Sequence, residues 1–262
     1  MARFCTLCSS SKGNSTYIGT SGYGILIDAG SNCKQLTLAM QNAGIDPDSV
    51  KAIFLTHEHR DHTGALKVFA SKSGIPVYAT GGTLSGLMYE DVFNEKYPHI
   101  RLESDGVSVG DIRVTYFPTS HDAKESCGYR VELPDRIIGV ATDTGKMTDD
   151  ILRGLVGCDA VLLESNYDEN MLTYGPYTPA LKARIRSELG HLSNDDCAET
   201  VKTLLEMNVR RFFLGHLSEQ NNTPERAYSC THSMLKHIGA KENRDYTLAV
   251  APVKGMERFV II

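Results

Sequence analysis

Residues 57–62 read His57-Glu58-His59-Arg60-Asp61-His62, which places three histidines and an aspartate within six positions. The run follows the apolar stretch Lys51-Ala52-Ile53-Phe54-Leu55-Thr56, a compact buried strand by composition. His57 and His59 are two residues apart, so on extended backbone they point to the same side and can hold one ion. Asp61 and His62 come where the chain turns toward a helix. They point elsewhere and suit a second ion. Imidazole and carboxylate together fit Zn²⁺, Mn²⁺ or Fe²⁺. The bland alternative is a polar loop with surface histidines, and the dense spacing after a buried strand argues against it.

Six residues cannot close two sites, because each metal takes roughly four or more ligands, some of them water. The remaining ligands are expected at other strand ends. His121 follows the strand ending in Phe117, Asp143 follows Ile137–Ala141, and His216 follows Arg211–Leu214. Each is the first strong ligand type after a short apolar strand. An aspartate carboxylate can bridge two ions, which gives Asp143 a place between them.

The elements that position these residues read as alternating strands and helices. Strands are expected at Arg3–Cys8, Ser15–Gly19, Tyr23–Gly30, Lys51–Thr56, Pro76–Thr80, Val107–Val109, Ile112–Phe117, Cys127–Leu133, Ile137–Ala141, Ala160–Leu163 and Arg211–Leu214, with one or two more at the end. Helices are expected at Asn32–Ala43, stopping at Gly44, at Gly64–Ser71, Pro179–Leu189 and Pro224–Ile238, and after a cap at Ser193 or Asn194. Strands then helices, twice over, predict an α/β fold in which two mixed sheets pack face to face with helices outside, an αββα sandwich. Nothing resembling a linker divides the chain, so residues 1–262 are read as one domain.

Composition narrows the function classes. With 262 residues and 41% hydrophobic residues, the chain can build a full core. No apolar run approaches the roughly 20 residues of a membrane span, and the start lacks the apolar stretch of a secretory signal. A cytoplasmic location is therefore expected. Seven cysteines, an odd and scattered set, argue against a disulfide framework. Cys5 and Cys8 form a CxxC, but the segment reads as a strand and no second CxxC completes a zinc site. A net charge of −5 gives no electrostatic footprint for nucleic acid, although bound divalent cations would add positive charge where a phosphate sits.

The HEHRDH run, Ser120-His121-Asp122, Thr142-Asp143-Thr144-Gly145 and Gly215-His216 resemble, in order and spacing, the ligand series of the metallo-β-lactamase superfamily. The likeness covers nearly the whole chain and implies a dinuclear site at one edge of the sandwich. By that resemblance His57, His59 and His121 hold the first metal, Asp61, His62 and His216 hold the second, and Asp143 bridges. Asp28, in Leu26-Ile27-Asp28-Ala29-Gly30, matches a motif that supports the metal-binding loop.

Other motifs bear on the substrate. The loop Ser9-Ser10-Ser11-Lys12-Gly13-Asn14-Ser15 can present N–H groups and hydroxyls to an anion, or can be a simple turn. Ser11, Lys12 and Asn14 are thus candidate substrate contacts, as are Asn166 and Ser193. His191, just before a helix start, could meet a phosphate and protonate a leaving oxygen. Glu164 with Gly190-His191-Leu192-Ser193 resembles an element of transfer-RNA 3′-processing nucleases. Taken together, SSSKGNS, ESNYDENML, GHLSND and HLSEQNN resemble the YycJ/WalJ family of bacterial metallohydrolases, which is associated with 5′-to-3′ exonuclease activity on DNA. Tyr167 departs from that family's pattern, in which histidine commonly follows ESN.

The resemblance implies two divalent ions that generate hydroxide from a shared water, with Asp61 orienting it and His191 acting on the leaving oxygen. The partner is then DNA, at duplex ends or as single strands. Lys12, Lys124, Lys182, Arg184 and Arg186 are candidate backbone contacts. The rival readings are a small-molecule metallohydrolase (a cyclic-nucleotide phosphodiesterase, lactonase or thioesterase) and a non-catalytic regulator on the same fold. The residues alone leave the metal, the choice of DNA or RNA, and the oligomeric state open.

Overall fold

The computed structural model describes every residue except 91 and 93–95. Among the described residues the strands form two seven-stranded mixed sheets. The first holds β1 (Arg3–Ser10), β2 (Gly13–Gly19), β3 (Gly24–Ile27), β4 (Val50–Phe54), β5 (Val77–Ala79) and β6 (His99–Arg101). The second holds β7 (Val107–Val109), β8 (Ile112–Pro118), β9 (Cys127–Glu132), β10 (Ile137–Ala141), β11 (Ala160–Glu164), β12 (Arg211–Gly215) and β13 (Thr247–Val250). A last strand, β14 (Val260–Ile261), returns to pair with β1.

Both sheets are built alike. From β14 to β3, and from β7 to β10, neighbours run antiparallel. From β3 to β6, and from β10 to β13, they run parallel. Parallel neighbours need crossovers, and helices supply them. In the first half these are α1 (Cys33–Asn42), α2 (Arg60–Thr63), α3 (Leu66–Ser73) and α4 (Gly81–Tyr89). In the second they are α5 (Asp149–Leu155), α6 (Glu169–Tyr174), α7 (Pro179–Arg186), α8 (Asn194–Glu206) and α9 (Pro224–His237).

The core lies in three layers. Phe4, Ile18, Ile25 and Phe54 of the first sheet meet Val114, Tyr129, Val140, Leu162 and Phe213 of the second. Leu36 and Met40 of α1 and Phe69 of α3 cover the outer face of the first sheet. Cys197, Val201 and Leu204 of α8 and Leu235 of α9 cover that of the second. The buried positions of α9, Ala227, Thr231 and Leu235, are four apart and so share one helix face.

The expected αββα sandwich is therefore present, with differences in detail. The helix expected at Gly64–Ser71 is α3, Leu66–Ser73, and a short unexpected helix, α2 at Arg60–Thr63, starts inside the histidine run. The helix expected to reach Leu189 stops at Arg186, and Ser187–Gly190 forms a turn. Helices α4, α5 and α6 had no counterpart in the sequence reading. α4 carries three glycines, poor helix formers, yet Thr80 caps it and Leu84 and Leu87 are buried. All seven cysteines are free, and the pairing of β1 with β2 shifts register between Thr6 and Cys8. No described helix is long and apolar enough to cross a membrane.

Candidate metal centre

The chemistry-bearing side chains gather at the carboxyl ends of β3, β4, β8, β10, β11 and β12, on one edge of the sandwich. Asp28 follows β3, His57 lies three residues past β4, Asp143 two past β10, and His216 directly follows β12. Asp28, Asp143 and His216 have φ of 61°, 57° and 55°, left-handed backbone that side chains with a Cβ seldom adopt. Such conformations cost about 1–3 kcal/mol each and persist where surrounding contacts fix them. Here they turn each side chain off its strand end and into the cluster.

The ligand atoms form overlapping sets. His57, His59 and His121 place one ligand atom each within 4.8 Å of one another, as do Asp61, His62 and His216. His57 Nε2 lies 3.0 Å from His59 Nδ1, so both face one point. Asp143 faces both sets, with Oδ2 3.3 Å from His62 Nε2 and Oδ1 3.4 Å from His216 Nε2 and 3.9 Å from His121 Nε2. The arrangement suits two cations with Asp143 between them.

A layer of partners holds the imidazoles. His62 Nδ1 donates to Asp28 Oδ2 at 2.7 Å, His216 Nδ1 to Glu164 Oε1 at 2.7 Å, and His121 Nδ1 to the Gly190 carbonyl at 2.9 Å. An acceptor on Nδ1 assigns the proton there and leaves Nε2 as the metal-binding lone pair. Asp28 also accepts from the Thr56 amide and hydroxyl. Glu164 Oε2 accepts from the amides of Thr144 and Leu192, while Oε1 takes a second donor, His191 Nδ1, at 2.9 Å. Burial pushes the Glu164 carboxyl up, but His191 and His216 outweigh it and hold the group at about 2. Burial likewise opposes ionisation of Asp143, yet His216, His62 and His57 hold its carboxyl well below the usual range.

Two buried atoms test whether the site fits a cation. Asp143 Oδ2 and His216 Nε2 have no hydrogen-bond partner. His62 Nε2 is close to the former but not aligned for a bond. Unpartnered buried polar atoms are costly, and both of these point into the ligand cluster. Their chemistry, a carboxylate oxygen and an imidazole nitrogen, is that of borderline divalent metals.

Residues 23–217 match the family model of the beta-lactamase superfamily domain. The chain belongs to this superfamily. It is 36% identical over 229 residues to the exodeoxyribonuclease WalJ of Streptococcus pneumoniae serotype 2, a match covering 86% of this chain and 85% of that protein. It is 34% identical over 239 residues to the exodeoxyribonuclease YycJ of Bacillus anthracis, covering 90% of each. Among solved structures it resembles the metallo-beta-lactamase fold protein YhfI of Bacillus subtilis, with a TM-score of 0.74 over 96% of this chain and 97% of that one. At 13% identity that likeness concerns the fold alone. The superfamily architecture supports divalent metal binding by the His/Asp clusters described above.

Not every residue expected to touch substrate faces the cleft of this superfamily member. Asn14 is buried, and its amide donates to the Ser10 carbonyl and to Asp61 Oδ2, so it positions a ligand. Asn166 is buried and donates to the His216 carbonyl. The Ser193 hydroxyl caps α8 through the Asp196 amide. Ser11 and Lys12 are exposed and line a cavity beside Asp61. Arg184 pairs with Asp122, Arg186 with Glu169, Lys182 with the Thr173 carbonyl and Lys12 with Glu219; Lys124 is exposed near Glu58, which accepts its amide. Tyr167 is buried in a small cluster with Leu172 and Ile185, where it supports α6 and α7. Thr56 had no assigned role in the sequence reading; Glu164 and Gly190, singled out there as part of one motif with His191, act as a clamp shared by His191 and His216 and as the carbonyl behind His121.

Proposed function

We propose that this protein is a metal-dependent phosphodiesterase that removes nucleotides from DNA in the 5′-to-3′ direction, acting at duplex ends or on single strands. The observation that carries the reading is His191 beside the ligand cluster: its Nδ1 is fixed by Glu164 and lies 3.8 Å from Asp143 Oδ1. The leaving 3′-oxygen of a phosphodiester needs a proton, and an imidazole held beside the cluster can supply it. The exodeoxyribonuclease names of its relatives, at 34% and 36% identity, support the same reading.

In this proposal His57, His59 and His121 hold one divalent ion, Asp61, His62 and His216 hold the other, and Asp143 contacts both. Zn²⁺, Mn²⁺ and Fe²⁺ all suit this donor set. When bound, the ions supply Lewis acidity toward the phosphate and the attacking water. Asp61, whose side chain is about one-quarter exposed, is held by Asn14 and can orient that water as well as bind metal. With Nδ1 committed to Glu164, His191 offers Nε2 as its proton-donating atom. Glu164 carries that orientation and that of His216 on one oxygen.

The test is a duplex labelled at its 5′ end, incubated with Mn²⁺ and the wild-type chain, His59→Ala or Asp143→Ala. Early release of a labelled mononucleotide by the wild type alone is expected. Undiminished degradation by either variant sinks the reading, and release of label only after complete digestion reverses the polarity.

A further inference from the structure

A cavity of about 500 Å³ opens beside Asp61, lined by Ser11, Lys12, Ser31, Gln35 and Arg60 among others. Its wall is rich in donors. The Arg60 guanidinium makes no hydrogen bond or ion pair among the described residues. Gln35 Oε1 accepts from both the Ser31 hydroxyl, at 2.6 Å, and the Asn32 amide, at 2.7 Å. Neither the Gln35 amide nitrogen nor the Ser11 hydroxyl has a partner among the described residues. Lys12 adds a second cation, held at the rim by Glu219.

The unpaired charge on the wall is a cation. Lys12 is paired with Glu219 and Asp61 is engaged by the ligand cluster, which leaves the Arg60 guanidinium as the one lining charge without a partner among the described residues. The chain as a whole carries −5. A locally cationic hollow on an anionic protein selects anions, and a free guanidinium fork matches phosphate oxygens two at a time. The cavity continues into a second one of about 500 Å³ that shares Lys12, Ser31 and Gln35 and has Leu36, Leu38, Ala39 and Val253 on its wall. Polar donors leading to an apolar wall fit a phosphate with a nucleoside attached.

We infer that this cavity is a second phosphate subsite, occupied by a phosphate of the same strand one nucleotide from the one at the metal cluster, with Arg60 as its principal recognition group. The phosphate is either the strand's terminal monoester or an internal diester. The nature of the ligand rests on the nuclease reading; the cationic cavity does not.

The experiment measures binding rather than cleavage. Intact metal-loaded protein is titrated, by fluorescence anisotropy, into short duplexes whose terminal linkages are phosphorothioate, with 5′-phosphate or 5′-hydroxyl ends. Arg60→Gln is expected to raise Kd about tenfold, and Arg60→Lys, which keeps charge but loses the fork, to recover part of it. Loss confined to the 5′-phosphorylated duplex assigns the terminal monoester, and equal loss on both assigns an internal phosphate. A Kd within twofold of wild type on both duplexes overturns the subsite. Arg60 is exposed, so the variants should fold, and matching melting temperatures check this. Wild-type protein that binds but never degrades unmodified DNA would overturn the proposed function and leave this result standing.

Discussion

Asp28 and Asp143 occupy equivalent places in the two sheets and grip the same imidazole from opposite ends. Each follows the strand at which its sheet changes from antiparallel to parallel pairing, and each has left-handed backbone. Asp28 Oδ2 lies 2.7 Å from His62 Nδ1, and Asp143 Oδ2 lies 3.3 Å from His62 Nε2. One carboxylate orients the ring; the other faces the same ligand cluster. Asp28→Asn should therefore lower metal affinity about 10–100-fold while leaving every ligand in place. Competition with a chromophoric chelator measures this, and wild-type affinity in the variant would remove Asp28 from the account.

Glu164 separates the two roles of its neighbours. His191→Ala should retain metal and lose about 10²–10⁴ in rate. Glu164→Gln disturbs both His191 and His216, so it should lose rate and metal affinity together. Single-turnover rates alongside elemental analysis distinguish the two. A His191 variant that lost its metal would mean the ring is a ligand.

The two sets of ligand atoms should respond differently to pH. Burial pulls the His216 imidazolium down, but Asp143, Asp61 and Glu164 outweigh it and hold the group at about 10. His62 is likewise held well above its ordinary value, against burial, by Asp143, Asp28 and Asp61. Both are therefore protonated at neutral pH before metal arrives, and an ion must displace those protons. For His57 burial and then His62 act the other way, so that ring is already neutral. Affinity at the Asp61/His62/His216 position should rise with pH across the neutral range, with about two protons released. Calorimetry in two buffers of unequal ionisation enthalpy reads this directly; identical heats would contradict it.

Gly30 lets two backbones touch. A Cβ there would lie 1.9 Å from the Asp61 carbonyl and 2.4 Å from the Asn14 amide, neither of which can swing aside. Gly30→Ala should destabilise the fold by about 1–3 kcal/mol or more and displace Asp61 from the cluster. Gly22, with nothing within 4 Å of its Cβ position, is the control. Equal melting temperatures and metal content for the two variants would show that the loop accommodates the methyl group.

That these residues would gather at one place was legible because their types are rare in combination and fall at strand ends, where side chains leave the sheet. His57, His59, Asp61, His62, His121, Asp143 and His216 all lie in one cluster. The supporting layer was harder to read. Asn14 looks like an anion-loop residue until the fold brings Asp61, 47 positions away, against its amide. Ser193 caps α8 through the Asp196 amide, as its local spacing allowed, but Asn166 is like Asn14, its amide taken by the His216 carbonyl 50 positions away. Such bonds join residues distant in sequence, and no local spacing announces them. Helix α5 did carry its signals, Thr148 as cap and Asp149 and Asp150 in the first turn, but its seven residues are too short for a clear apolar period.

Each metal position draws on both sheets: His57 and His59 meet His121, and Asp61 and His62 meet His216. A chain still leaving the ribosome thus lacks a complete Asp61/His62/His216 position until residue 216 has emerged and the second sheet has docked. The centre also joins the halves as a clasp, so an ion bound there should raise the melting temperature, and more for the tighter-binding ion.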